Sequence, residues 1–295
     1  MGLTKAKTEY LTSVVLYGTI GVFLRYISFP SEMVVLCRGA VGAAFILLVQ
    51  LARRRRPDAA AIRENLVWLL LSGVCLGFNW VLLFAAYRHT TVAVASLCNY
   101  MAPIALIFLS PLLFREKLSG KKLLCVLAGV LGLALVSGVF SATDGVDPTG
   151  ALLGLAAAAG FVGVVLCNKK LQGLAAFDKV TVQLAVSALT VLPYVLWANA
   201  GKPIPVDTRS VLLTAMLGVV HTGLAYCLYF GPMDVLPVQT IALLGYVEPV
   251  VSVLCSALIL REPLGLSGAL GAALIIGAAA VSEIINQGGK EPHVS

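Results

Sequence analysis

Glu248 stands deep in an apolar run, inside the stretch Tyr246-Val247-Glu248-Pro249. A carboxylate in hydrocarbon has to be protonated, paired or wetted, because its bare charge is costly there. Two roles fit it: a site for a substrate ammonium or a coupling proton, or a hydrogen-bonded glutamate that holds a broken helix together. Pro249 supplies no N–H, which frees a backbone carbonyl one turn earlier. Gly245, Ser252 and Cys255 fall beside Glu248 at helical spacing and give it a narrow, polarizable face. Arg38 carries the opposite charge and cannot lose it, so it must meet water, an anion or carbonyls. It can hold a substrate carboxylate or Glu248, or it can brace helix ends and snorkel to the outer surface about two turns away.

A second set of polar and aromatic residues lies at similar depth: Asn79, Trp80, Asn99, Tyr100, His221, Tyr226, Tyr229 and Tyr246. His221, Ala225 and Tyr229 share a helical face, and Tyr226 turns aside by about 100°. Aromatic walls with a few polar anchors suit a small, partly apolar organic solute. Trp80, Tyr100 and Tyr226 are too deep for an interfacial belt, whereas Tyr17, Tyr87, Tyr194 and Trp197 fit one. A lone His221 without a placed carboxylate reads first as a packing residue and second as a proton relay. Gln183 and Gln239 are lesser candidates of the same kind. Glu116 and Glu262 each follow an arginine at the end of an apolar run, as caps or as gates.

The elements that must position these groups follow from composition. The 295 residues are 59% hydrophobic and 12% charged, with mean hydropathy +0.96, about half the charge a water-exposed surface needs. Apolar runs long enough to cross a bilayer must be helices, since lipid satisfies no backbone polar group. Ten spans are expected: 8–27, 30–52, 66–86, 91–114, 121–140, 149–168, 178–197, 210–230, 236–260 and 264–286. With both termini inside, 15 of the 21 Lys and Arg face the cytoplasm, which orients the chain. The net charge of +7, including Arg53–Arg56, then belongs to loops facing an anionic leaflet, not to a nucleic-acid surface.

Residues 100–120 and 246–268 carry one pattern twice. Tyr100, Pro103 and Arg115-Glu116 recur as Tyr246, Pro249 and Arg261-Glu262 at a constant offset of 146. Each copy is a helix broken by a proline, a charged turn and another helix. Five spans per copy make the second copy enter from the opposite face. Such inverted repeats, with proline-interrupted segments in matching places, point to a carrier with a midplane site. The expected fold is therefore all-α and polytopic, with ten transmembrane helices as two inverted five-helix repeats. These occupy 8–140 and 149–286, with cytoplasmic tails 1–7 and 287–295. The small-residue rows Gly150-x-x-x-Gly154 and Ala156-x-x-x-Gly160 belong to helix packing. The seven cysteines form no C-x-x-C or Cys/His cluster, so neither a disulfide framework nor a metal site is expected. No nucleotide-binding GxxxxGK[ST] is present, and no cofactor is expected.

The ten-span plan, Tyr246-Val247-Glu248-Pro249, Arg261-Glu262-Pro263-Leu264, Pro103 with Arg115-Glu116-Lys117-Leu118, and His221 to Tyr226 together resemble the EamA-type transporters of the drug/metabolite transporter superfamily. An arginine in the second span, here Arg38, is usual there. The resemblance covers residues 8 to 286. It implies transport of small metabolites such as amino acids, mostly export, by alternating access without ATP, in a multi-pass protein of the cell (inner) membrane. The expected partners are a small-molecule substrate, the lipid bilayer and coupling protons, in a monomer or homodimer, with no nucleic acid. Rival readings are export of other small organic cations or drugs, a channel-like facilitator, and an intramembrane enzyme. The enzyme would need a second reactive group converging on Glu248 and His221, and the sequence offers none.

Overall fold

Helices account for nearly all of the computed structural model, which describes residues 2–90, 92–114, 120–136, 148–261 and 265–288. No strand occurs among the described residues. In chain order the helices are α1 (Leu3–Leu24), α2 (Ser31–Ala52), α3 (Ala59–Glu64), α4 (Leu66–Ala86), α5 (Val92–Asn99), α6 (Ala102–Phe114) and α7 (Gly120–Val136). They continue with α8 (Pro148–Lys170), α9 (Ala176–Ala198), α10 (Thr208–Met216), α11 (Ala225–Phe230), α12 (Val238–Gly245), α13 (Val247–Ile259) and α14 (Leu266–Gly288). A π-helix, Leu217–Leu224, joins α10 to α11, and a 3₁₀ turn, Gly231–Asp234, follows α11.

Six of these segments are long and apolar enough to cross a bilayer: Ser31–Ala52, Leu66–Ala86, Pro148–Lys170, Ala176–Ala198, Thr208–Asp234 and Val238–Ile259. Shorter apolar stretches lie in Val94–Leu109, Leu123–Leu135 and Leu266–Ala278. Large apolar side chains such as Leu48, Leu112, Leu258 and Leu266 stand exposed around the bundle. A contiguous apolar surface of this kind needs hydrocarbon around it, as in a multi-pass membrane protein. Asp58 caps the short surface helix α3, accepting from the N–H groups of Ala60 and Ala61.

The core sits where the first part of the chain meets the second. α4 packs on α8 and α9, α2 on α9 and the π-helix, α1 on α11 and α13, and α12 on α6. α7 and α14 pair with each other at the edge. α2 and α9 run antiparallel and are fastened at both ends. Glu32 in the first turn of α2 accepts from Arg88 at 3.0 Å and from Asn199, just past α9, at 3.5 Å. Asp178 in the first turn of α9 accepts from Gln50, near the end of α2, at 2.5 Å and from the Asp58 N–H at 3.2 Å. Lys179 is 2% exposed, although the sequence places it among loop charges. Its ammonium donates to the Phe230 carbonyl at 3.1 Å, and Lys169 donates to the Leu236 carbonyl. Both lysines satisfy backbone acceptors left over where α11 and its 3₁₀ turn end.

Candidate functional site

Two helix breaks form the frame of the site. α5 and α6 are 8 and 13 residues long, and so are α12 and α13. At each break an i→i−3 bond tightens the last turn: Met101 N–H to the Cys98 carbonyl at 3.1 Å, and Tyr246 N–H to the Leu243 carbonyl at 3.3 Å. Each helix is interrupted just before its proline. Pro103 and Pro249 sit in the first turns of α6 and α13, where a missing N–H has no partner to lose. The two breaks touch. The Tyr246 side chain, 1% exposed, donates its hydroxyl to the Tyr100 carbonyl at 3.4 Å.

Glu248 opens α13 immediately after its break, partly buried, with the Tyr100 hydroxyl within polar reach of its carboxyl. The charge of Arg38 acts on it, and its own charge is felt in turn at the hydroxyls of Tyr10, Tyr17 and Tyr229. Arg38 lies over Trp80. Its guanidinium carbon is 5.4 Å from the centre of the Trp80 ring, and the Tyr226 hydroxyl is within its polar reach. Arg38 makes no ion pair among the described residues, and its buried Nε has no hydrogen-bond partner. A cation stacked on an aromatic face gains some electrostatic support, yet its N–H donors still call for an acceptor.

Aromatic rings fill the space around these charges. Tyr10 stacks on Tyr229 with ring centres 4.7 Å apart. Tyr17 meets Tyr226 and Tyr229 at 5.5 and 5.3 Å, and Phe161 approaches Tyr229 at 6.4 Å. Tyr10 also donates to the Ile241 carbonyl at 3.1 Å, tying α1 to α12. Tyr17 thus belongs to this interior cluster and not to an interfacial belt. Tyr194 and Trp197 pack together away from it, with Arg88 over the Tyr194 ring.

His221 lies in the π-helix, 3% exposed, its Nε2 paired with the Thr19 hydroxyl at 2.9 Å and its ring against Phe23. Its Nδ1 is buried without a partner, as is the Thr222 hydroxyl. The wider π turn fits against α2 because two glycines meet there. A Cβ on Gly218 would lie 2.6 Å from the Val41 Cβ, and one on Gly42 would lie 3.1 Å from the Gly218 carbonyl oxygen. π turns within α-helices often mark functional positions.

Asn79 is 4% exposed and uses its amide nitrogen twice, on the Ala157 carbonyl and on Asn99 Oδ1, both at 2.8 Å. Gln183 lies in a separate buried group, donating to Ser72 at 2.7 Å and to Asn168 Oδ1 at 3.1 Å. Gln239 is buried as well. Glu116 and Glu262 lie outside the described residues. The structure therefore gathers Glu248, Arg38, Trp80, Asn99, Tyr100, Tyr226, Tyr229 and Tyr246 around the meeting of the two breaks. Asn79 is hydrogen-bonded to Asn99, and His221, in the π-helix, is paired with Thr19 of α1. Sequence reading misses Tyr10, Thr19 and Phe161. The seven-residue spacing of Tyr10 and Tyr17, which puts both rings on one helical face, is the signal that could have found the first.

Comparison with known proteins bears on what this arrangement serves. The chain is 24% identical over 285 residues to the uncharacterized transporter YxxF of Bacillus subtilis (strain 168), covering 96% of this chain and 91% of that one. It is 27% identical over 213 residues to protein PecM of Dickeya dadantii (strain 3937), covering 69% and 68%. To the pseudopaline exporter CntI of Pseudomonas aeruginosa (strain UCBPP-PA14) it is 27% identical over 192 residues, covering 65% and 64%. A crystal structure at 22% identity matches the fold with a TM-score of 0.83, covering 98% of this chain and 100% of that chain. The model of the EamA-like transporter family matches twice, over residues 10–138 and 148–283. The chain belongs to the EamA-like transporter family and is a membrane transporter, not an enzyme.

Proposed function

We propose that the protein exports small zwitterionic metabolites of the amino-acid class across the cell (inner) membrane by alternating access, without ATP. The observation that carries this reading is the separation of Arg38 and Glu248. They are opposite charges in one aromatic enclosure, the Arg38 charge acting on Glu248, yet Arg38 is left without an acidic partner among the described residues. Two such groups held apart suit a solute that carries both complementary charges, its carboxylate on Arg38 and its ammonium on Glu248. The rings of Tyr17, Trp80, Tyr226 and Tyr229 give the apolar part of that solute a wall.

Two inverted five-helix halves, residues 8–140 and 149–286 with the termini in the cytoplasm, are the architecture we assign. Support comes from the double family match, from equal segment lengths on either side of the two breaks, and from the mirrored α2–α9 fastenings. Outward direction is supported by the relative whose name is that of an exporter. Glu248 is the residue we assign to proton coupling, since a proton and a substrate ammonium compete for one carboxylate.

The test is transport in proteoliposomes with and without an imposed pH gradient, assayed with mixed amino acids. Glu248→Gln should abolish gradient-driven flux and retain exchange, at a raised KM for ammonium-bearing solutes. Unchanged gradient-driven flux would remove Glu248 from coupling. Arg38→Gln should raise the KM for carboxylate-bearing solutes by about tenfold or more, through a lost charged hydrogen bond. Saturation and counterflow distinguish a carrier from a facilitator.

A further inference from the structure

The hydrogen bonds behind the site fix which end of one cavity amide the substrate meets. A carbonyl can only accept, so the Ala157 carbonyl, at 2.8 Å, identifies the atom of Asn79 that faces it as the amide nitrogen. The second hydrogen of that nitrogen points at Asn99, also at 2.8 Å, and only the Asn99 oxygen can receive it. Both hydrogens of Asn79 are thereby used, and the Asn99 amide cannot flip without setting two donors against each other. Asn99 ends α5 beside the break at Tyr100, whose hydroxyl reaches Glu248. Asn99 is partly exposed, and its amide nitrogen has no hydrogen-bond partner among the described residues. An amide locked in this sense offers a solute that reaches it a hydrogen-bond donor and no acceptor.

We infer that Asn99 is a specificity-determining residue that donates from its locked amide to a carboxylate or carbonyl oxygen of the substrate, and that Asn79 is the positioning residue that sets this polarity from outside the site. The inference rests on the zwitterion reading above and deepens it. Arg38 and Asn99 select the acceptor end of the solute, and Glu248 the donor end. A solute whose carboxylate is replaced by hydrogen, leaving only an amine, has nothing to offer Asn99.

Two substitutions separate polarity from shape. Asn99→Asp keeps the bond from Asn79, because a carboxylate oxygen accepts as well as the amide oxygen, but it turns the free end from donor to anion. Asn79→Asp removes both donors and should turn Asn99 round, so that its nitrogen binds Asp and its oxygen faces the substrate. Proteoliposomes loaded with an equimolar mixture of the twenty amino acids and the amines formed by their decarboxylation are assayed by mass spectrometry of the released solutes. Thermal stability is measured in parallel. Wild type should release amino acids in preference to amines. Asn99→Asp should keep the wild-type melting temperature and lower the ratio of amino acid to amine released by about tenfold or more. Asn79→Asp, where it folds, should shift that ratio in the same direction while leaving every residue that lines the space unchanged. A wild-type ratio in a folded Asn99→Asp protein overturns the inference and leaves the zwitterion reading standing. Wild type that releases amines as readily as amino acids, or releases neither set, overturns the reading and the inference together.

Discussion

A carboxylate at the start of a helix outside the lipid shows how single groups are fixed here. Asp207 precedes α10 and accepts from the Ser210 hydroxyl at 2.6 Å and from the Ser210 N–H at 2.9 Å. These bonds, that from the side chain first, hold its carboxyl below the usual range. The Ser210 hydroxyl in turn accepts from the Ser28 N–H at 2.8 Å, so the cap also fastens the α1–α2 connection. Because the folded-state value is depressed, the contribution is complete above the unfolded carboxylate range and is lost as pH falls through the folded value. Asp207→Ala should therefore melt below wild type at neutral pH, and the gap should close on acidification. Paired melting curves across pH check this, and a gap that persists in acid would assign the effect to something other than the carboxylate. The same scale exposes what sequence could not tell about Asn79. Its type and depth mark it as a substrate ligand, but both of its hydrogens are spent on protein, which only the neighbouring Ala157 and Asn99 reveal.

The helices themselves were largely legible, for a physical reason. A span is an additive property of adjacent residues, so the run 66–86 reads directly as α4 (Leu66–Ala86) and 30–52 lies within a residue of α2 (Ser31–Ala52). What resists such reading is any feature set by contact. The π-helix at Leu217–Leu224 changes the hydrogen-bond register without changing composition, and it exists where Gly218 and Gly42 let α2 approach. The breaks at Tyr100 and Tyr246 fall before the prolines that signal them. Aromatic partners on α1 were hidden because nothing in residues 10–19 says which other helix they will face. Close approach also yields a prediction for the contact of α1 with α13. A Cβ on Gly18 would lie 2.5 Å from the Val251 Cβ and 2.8 Å from the Glu248 carbonyl oxygen. Gly18→Val should cost about 1–3 kcal/mol through overpacking and displace the segment that carries Glu248. A lowered melting temperature with impaired transport is the expected pair of results, and full transport would mean that α13 can shift without disturbing the site.

For the molecule as a whole, the two matched segments require opposite insertion if the duplication is inverted. The connection after α1 and the connection after α8 then emerge on opposite faces of the bilayer. Tyr26 and Gln172 are both exposed in those connections. In a variant stripped of the seven native cysteines, Tyr26→Cys should react with an impermeant thiol reagent added outside intact cells. Gln172→Cys should react only after the membrane is opened. Labelling of both from one side would make the repeats parallel and remove the basis for a shared midplane site. The paired fastenings of α2 to α9 carry a mechanical consequence. A door hung on hinges at top and bottom swings only along its free edge. With Glu32 and Asp178 pinning the two extremities of this seam at once, the opening proposed for transport falls to the walls built from the interrupted pairs α5–α6 and α12–α13.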